Sequence, residues 1–367
     1  VKEHKIQPGS RIDRPISRPL PRLSIVIVNF NSWSDVARLV ETLGQSPEVQ
    51  AGECELIIVD NASESDPPAR LDATQGWLTL IREPRNRGFA AGVNRGWSRA
   101  QGEWLLLLNP DVVTNPDLPG QVLQRIAAYK ARPEGVPGIV GFGIRNADRS
   151  VQPSVGAEPG LGRVLCEAFL PRKRRKYQNA RKIRAGEVPW VTGACALVDP
   201  RVLQALGGMD EQFFLYYEEV ALAKATRRLG RRVEFDPAIQ VTHLRPLQNR
   251  QVPSWLRVIT RHSMLLYFHK FRPRWEFFGL TLLVGLEARC RFAWAWLRQE
   301  RSDQRAWQTV LAVAQRMFRG VIPDGLQMYD LARAISQPDS TARTEQIHQP
   351  RRQAREAVGA YSGRGSI

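Results

Sequence analysis

The sequence predicts an α/β fold, a mostly parallel sheet with helices on both faces, and two observations carry that prediction. Four short runs, "LSIVIVNF" (23–30), "ELIIVDN" (55–61), "WLTLIREP" (77–84) and "EWLLLLNP" (103–110), are nearly continuous in apolar residues. Such runs are the mark of strands buried on both faces. Between them lie segments whose apolar residues recur at helical spacing, and this alternation is that of parallel strands joined by helices.

Taken in order, the first strand ends at Asn29 and Asn31, and "SDVARLVETLG" then sets Val36, Leu39, Val40 and Leu43 on one helical stripe. The second strand ends at Asp60 and Asn61 and the third leads to Asn86. "NRGFAAGVNRG" (86–96) follows; it is neither GxGxxG nor GxxxxGK[ST], so it supports neither a dinucleotide-binding fingerprint nor a phosphate-binding P-loop. Two readings stay open for it: a helix packed closely through Gly92 and Gly96, or backbone that approaches a donor sugar or phosphate. The fourth strand ends at Asn109, Pro110 and Asp111. Mixed strands and helices follow from "VPWVTGACALVDP" (188–200), with "RRVEFDPAIQVTHL" (231–244) expected to be a strand pair closing at His243. In "FFLYYEEVALAKATRRLG" (213–230), Glu218 and Glu219 open a helix that carries Ala221, Leu222, Ala225 and Leu229. The composition shifts after Pro246, and 254–297 reads as helical, rich in Trp, Phe, Leu and Arg. The expected organisation is a flexible arm (1–22), an α/β domain (23–246), a helical region (247–335) and a basic flexible tail (336–367).

The composition, 43% hydrophobic and 24% charged over 367 residues, is that of a folded protein with a sizeable core. Four cysteines without a CxxC pair fit a reducing compartment. The net charge of +17 implies an anionic partner: nucleic acid, anionic lipid or a phosphorylated substrate. Much of it lies in "RKRRKYQNARKIR" (172–184) and beyond Arg257. No nucleic-acid reader motif accompanies it, so a basic nucleic-acid-binding protein is the rival reading and not the expected one.

In an α/β sheet, ligands bind beyond the carboxyl ends of the strands. Asn29, Asn31, Asp60, Asn61, Asn86, Asn109 and Asp111 therefore form one polar crescent if the strands are parallel neighbours. Each alone is an ordinary turn residue. Together they suit a nucleotide: a carboxylate such as Asp60 can accept the imide N–H of uracil or thymine. Asp111 with His243, each at a strand end, suits a hard divalent cation on a diphosphate.

The motifs "SIVIVNFN", "IIVDNAS", "NRGFAAGVNRG", "LLLLNPDV", "VTGACALV", "GGMDEQFFLYYEEV" and the closing His243, in this order, resemble the inverting GT-A glycosyltransferases of family 2, and most of all their bacterial rhamnosyltransferase branch. The resemblance implies a Rossmann-like GT-A domain with a C-terminal helical extension, and transfer of a sugar from a dTDP- or UDP-sugar to a saccharide or polyprenyl-diphosphate-linked acceptor. It implies that Asp60 reads the base, that Asn29, Asn31, Asn61 and Asn86 line the nucleotide pocket, and that Gly88, Asn94 and Asn109 lie on the donor side. Asp111 and His243 would hold Mg2+ or Mn2+. Glu219 would be the general base, with Glu218, Trp190, Gly193 and Ala194 toward the acceptor. Where the family reads E-D-V-D-L this chain reads E-E-V-A-L, so Glu219 stands for an aspartate and Ala221 removes a second acid. That absence motivates a second rival, a binding-only member of the fold.

The resemblance places the protein in the cytoplasm at the inner face of the membrane. "WEFFGLTLLVGLEARCRFAWAWLRQ" (275–299) has an apolar run too short to span a bilayer. It reads either as a helix packed on the catalytic domain or as an interfacial helix on an anionic leaflet.

Overall fold

The computed structural model describes residues 20–71, 75–168, 184–245 and 252–336. Most of the arm, the basic run and the tail, and the expected boundary at 246/247, lie outside the described residues. Four parallel strands, β1 (Leu23–Asn29), β2 (Cys54–Asp60), β3 (Leu78–Arg82) and β4 (Trp104–Leu108), stand in the order β3-β2-β1-β4. Their side chains alternate between two apolar layers: Val26, Ile57, Val59, Leu105 and Leu107 face one, and Ile25, Ile27, Leu56, Ile58, Leu106 and Leu108 the other. That period of two explains why both faces of each run are apolar.

The linking helices are α1 (Trp33–Gly44), α2 (Pro47–Gln50) and α3 (Phe89–Trp97). A Cβ added to Gly92 or Gly96 would lie 2.6 Å from Val28 or 2.5 Å from Val26, so α3 sits directly on β1 and the packing reading of those two glycines holds. Beyond β4 come β5 (Val112–Val113), α4 (Leu118–Lys130), β6 (Ile139–Arg145), β7 (Val155–Gly156) and α5 (Leu161–Ala168). They are followed by β8 (Gly186–Glu187), β9 (Trp190–Val191), β10 (Cys195–Val198), α6 (Pro200–Leu206), α7 (Glu218–Arg228) and β11 (Val233–His243). The main sheet runs β3-β2-β1-β4-β10-β6-β11-β5, with β10 antiparallel to both neighbours and β6 parallel to β11.

The strand pair expected over 231–244 is one strand. It bulges between Asp236 and Gln240 and stays paired with β6 on both sides. Pro237 has no N–H for the ladder, and Asp236 Oδ1 accepts Ala238 N at 2.9 Å, so the chain kinks without reversing. The helical stretch at 254–297 is two helices, α8 (Ser254–Phe271) and α9 (Arg274–Leu297), broken at Pro273. With α10 (Arg301–Phe318) and α11 (Gly325–Ser336) they share one apolar core with α3, α6, α7 and one face of the sheet. The C-terminal helices are thus part of the wall behind the site.

Candidate active site

Parallel register brings the first polar residues together. Asn29 lies opposite Asp60, and Asp60 opposite Arg82. Both Asn29 and Asp60 are fully buried. Asn29 Nδ2 donates to Asp60 Oδ1 and to Ser63 Oγ, each at 3.0 Å, and its Oδ1 accepts Ser32 N at 3.1 Å. Ser63 adds its hydroxyl (2.5 Å) and backbone N–H (3.3 Å) to the same Asp60 oxygen. The other oxygen, Asp60 Oδ2, has no hydrogen-bond partner among the described residues; Arg82 Nε stands 3.6 Å away. Asn31, in the left-handed region (φ 54), accepts Glu64 N at 2.8 Å and shapes the exposed rim. Asn29 and Ser63 therefore hold Asp60 by one oxygen, and the other is left facing only the Arg82 guanidinium among the described residues.

The segment after β3 is tied from two sides. Asn61 Nδ2 donates to Gly88 O (2.9 Å) and its Oδ1 accepts Arg87 N (3.1 Å), while Asn86 Oδ1 accepts Gly88 N (2.9 Å). Gly88 has φ 93, and a Cβ there would fall 2.3 Å from Phe214 O, so only glycine fits. Phe89 N donates to that same Phe214 carbonyl at 2.9 Å. Asn94 departs from the donor-side expectation. Its amide donates to Met209 O and Glu211 Oε1 and accepts Met209 N (2.7 Å), so it clamps the 209–211 segment to α3. Asn61 spends its polar atoms on backbone and Asn94 on the 209–211 segment, roles invisible in a list of strand-end residues.

Asp111 and His243 meet where β5 pairs with the end of β11. Asp111 Oδ1 lies 3.2 Å from His243 Nε2, and the two side chains are 13% and 12% exposed. Burial alone would raise the Asp111 pKa, but the His243 hydrogen bond and charge, with Arg245, outweigh it and hold the carboxyl below its ordinary value. His243 Nδ1 lies 3.0 Å from Gln152 Nε2, and Gln152 Oε1 is buried without a partner. The reverse amide orientation has the same shape. It would let Nδ1–H donate to that orphan oxygen and turn the Nε2 lone pair toward Asp111. A carboxylate oxygen plus an imidazole nitrogen, with no third His, Cys, Asp or Glu grouped with them among the described residues, fits Mg2+ or Mn2+ completed by diphosphate and water. Asn109 stands between β4 and this corner, its N–H bonded to Ala194 O at 3.0 Å.

The paired acids open α7. Glu218 is buried (6% exposed), whereas Glu219 is half-buried and borders a small, largely apolar pocket with Phe89, Leu107, Gly193, Met209 and Leu222. Successive helix residues point about 100° apart, which separates the two. Ala221 is 2% exposed in the core, so the site is built without a carboxylate at that place. Tyr216 and Tyr217 just before the helix both have positive φ (66 and 68), a costly conformation for side chains of this size. The C-terminal helices hold it: Ser263 Oγ donates to Leu215 O (2.9 Å), Tyr329 stacks on Phe214 (4.1 Å between centroids) and Tyr217 packs on Tyr267.

Three acceptor-side expectations change. Gly193 borders the pocket, but Glu218 is only 6% exposed and Trp190 is 1% exposed, lies over Gly156 and donates its indole N–H to Ala157 O at 2.9 Å. Ala194 is likewise core, 2% exposed. The apolar content of "VPWVTGAC" serves packing: β10 is an interior strand of the main sheet, and β9 pairs with β7 in a small two-stranded sheet whose Trp190 and Val191 are buried. Trp190→Ala is accordingly expected to lower unfolding free energy by about 3–5 kcal/mol, the cost of emptying a large aromatic site. Chemical denaturation would check it. A loss under 1 kcal/mol would return Trp190 to the cleft.

Four participants escaped the sequence reading. Ser63 sits inside the quoted "IIVDNAS", where a serine two residues past Asn61 is an ordinary turn signal. Arg82 ends β3, and Arg245 follows His243 by two residues, its backbone N–H on Asp111 Oδ2 (3.2 Å) and its guanidinium on Asp35. Gln152 carries no local signal, since only the fold brings it to His243.

This architecture is matched among known proteins. The chain is 27% identical over 240 residues to the N-acetylglucosaminyl-diphospho-decaprenol L-rhamnosyltransferase of Mycobacterium tuberculosis, covering 60% of this chain and 75% of that one. It is 25% identical over 276 residues to the low-salt glycan biosynthesis hexosyltransferase Agl10 of Haloferax volcanii, covering 72% and 83%. In fold it is similar to residues 1–349 of TarS from S. aureus, solved with UDP-GlcNAc, at a TM-score of 0.50, 12% identity, and coverage of 88% and 92%. The family model described as "Glycosyl transferase family 2" matches residues 24–207, which span β1 through α6 and so the whole Asn29–Asp60–Asp111 edge. This chain therefore belongs to glycosyl transferase family 2 and is a glycosyltransferase of the GT-A fold.

Proposed function

We propose that the chain moves a sugar, with rhamnose the leading candidate, from a dTDP- or UDP-sugar to a hydroxyl of a saccharide carried on a polyprenyl diphosphate, with inversion at the anomeric carbon. The work is done at the cytoplasmic face of a membrane, in cell-surface polysaccharide synthesis. The observation that carries the reading is the 3.2 Å approach of Asp111 to His243 at the edge where Asn29 and Asp60 meet, with Glu219 on the cleft beside β4. The lipid-linked acceptor and the rhamnose are suggested by the name of the mycobacterial relative.

Asp60 Oδ2 accepts the imide N–H of the base, completing an oxygen that the protein leaves without a hydrogen bond. The Gly88 backbone, held by Asn61 and Asn86, approaches the donor. Glu219 takes the proton of the acceptor hydroxyl as its oxygen attacks the anomeric carbon. The bond from that carbon to the diphosphate oxygen breaks, and the electron pair leaves with the nucleotide diphosphate. Asp111 and His243, the latter oriented by Gln152, would hold Mg2+ or Mn2+, which when bound offsets charge on the leaving diphosphate.

Transfer assays over a panel of dTDP- and UDP-sugars, with and without Mn2+, onto an N-acetylglucosaminyl diphosphate lipid test the reading. One donor should be consumed in a cation-dependent way with a β/α anomeric switch visible by NMR. Retention of configuration, or transfer undiminished by chelator, would sink it. Asp60→Ala should raise donor KM about ten- to hundredfold, the worth of a hydrogen bond to a charged group, with a smaller change in kcat.

A further inference from the structure

Helix α9 is about 36 Å long at 1.5 Å per residue and has two apolar faces. Phe277, Leu280, Val284 and Ala288 face inward against the other C-terminal helices. On the opposite side Trp275, Leu282, Leu286 and Leu297 stand 66%, 62%, 58% and 69% exposed. At about 100° per residue these four fall within a strip about 60° wide, and Trp296 (64% exposed) borders it. Phe278 extends the strip toward α10, where it meets Phe318 edge-on at 5.3 Å. Single exposed apolar residues are ordinary, but a continuous strip with tryptophans along one helix marks an interaction surface.

Cations rim the strip. Arg274 and Arg289 lie on α9 and Arg316 and Arg319 at the end of α10, all exposed and none paired with a carboxylate among the described residues. We infer that this strip, with its arginine rim, is the face by which the enzyme lies on an anionic lipid leaflet, its apolar side chains in the acyl boundary and its arginines among the headgroups. No helix among the described residues is long and apolar enough to cross a membrane, so the contact is with one leaflet. Charge argues against a second copy as the occupant. A self-contact would set two such rims against each other in a chain of net charge +17, whereas an anionic leaflet satisfies both features.

The face is rigidly joined to the catalytic helix. Glu276 of α9 accepts Leu161 N at 2.9 Å and pairs with Arg272. Glu158, three residues before Leu161, accepts Tyr267 OH and Lys224 Nζ, both at 2.9 Å, and pairs with Arg227. Lys224 and Arg227 belong to α7, which begins with Glu218 and Glu219. Docking through α9 therefore sets the orientation of the cleft relative to the membrane. This inference deepens the lipid-linked reading above, but it is scored by lipid binding and not by sugar transfer.

The test is co-sedimentation of the full chain with vesicles of 70% phosphatidylcholine and 30% phosphatidylglycerol, against vesicles of phosphatidylcholine alone. The chain should bind the anionic vesicles and release at high salt. The triple variant L282E/L286E/W296E should bind them at least tenfold more weakly while keeping its circular dichroism and its transfer to a short-chain, water-soluble acceptor. Three results would overturn the inference: no binding by the parent chain, undiminished binding by the triple variant, or a parent dimer in light scattering that the variant dissolves. If lipid binding behaves as expected but no sugar is transferred, the functional reading fails and the docking face stands.

Discussion

Glu219→Gln is expected to lower kcat by about 10²–10⁴-fold, the usual cost of removing a general base. The amide keeps the size of the side chain and its place on the cleft but cannot accept the acceptor's proton. Donor KM should change little, because the change leaves the hydrogen-bonded Asn29–Asp60–Ser63 cluster untouched. If the carboxylate served only as a charge at the positive end of α7, the change would cost about 0.3–1 kcal/mol of stability and leave turnover intact. Glu219→Asp shortens the reach by one methylene and should retain measurable activity. Glu218→Gln should reduce turnover far less, since Glu218 is only 6% exposed. Its cost should appear in thermal unfolding. Parent-like turnover by Glu219→Gln, on a donor and acceptor the parent enzyme uses, would remove the base assignment.

Asp111→Ala and His243→Ala are each expected to abolish cation-dependent turnover. If Asp111 and His243 hold the cation, losing either removes one of the two ligands the protein supplies. Mn2+ binding in the presence of nucleoside diphosphate, followed by electron paramagnetic resonance, should weaken in parallel, a readout that does not depend on turnover. Gln152→Leu should show a milder form of the same loss, about 10–100-fold in Mn2+ affinity, because it acts through the orientation of the His243 ring. Undiminished Mn2+ binding in both Ala variants would move the metal elsewhere.

Much of this was legible before any coordinates. The near-continuous apolar runs at 23–30, 55–61, 77–84 and 103–110 are strands because a strand buried on both faces must be apolar at every position. Their polar ends had to gather at one edge because parallel strands all point the same way; the pairing of Asn29 with Asp60 needs in addition the β1–β2 adjacency and register. The ordered motifs sufficed to assign the family that the match over 24–207 bears out.

What the sequence left undecided turns on which side a residue faces and what it meets from far along the chain. Trp190 and Ala194 looked like cleft residues beside Gly193; pairing of β9 with β7 folds Trp190 over Gly156, and Ala194 is buried just before β10, the strand between β4 and β6. Asn94 looked like a donor contact and is a clamp on residues more than a hundred positions away. Pro237 and Pro273 act oppositely: one bends a strand that remains paired, the other ends a helix, because a ladder with β6 survives one missing N–H and a helical turn does not. Composition and local pattern specify the elements and the chemistry at their ends. The assignment of each polar atom, to a ligand or to the protein's own backbone, comes from long-range packing: Gln152 reaches His243 and Tyr329 stacks on Phe214 only when the sheet and the C-terminal helices are assembled around the same cleft.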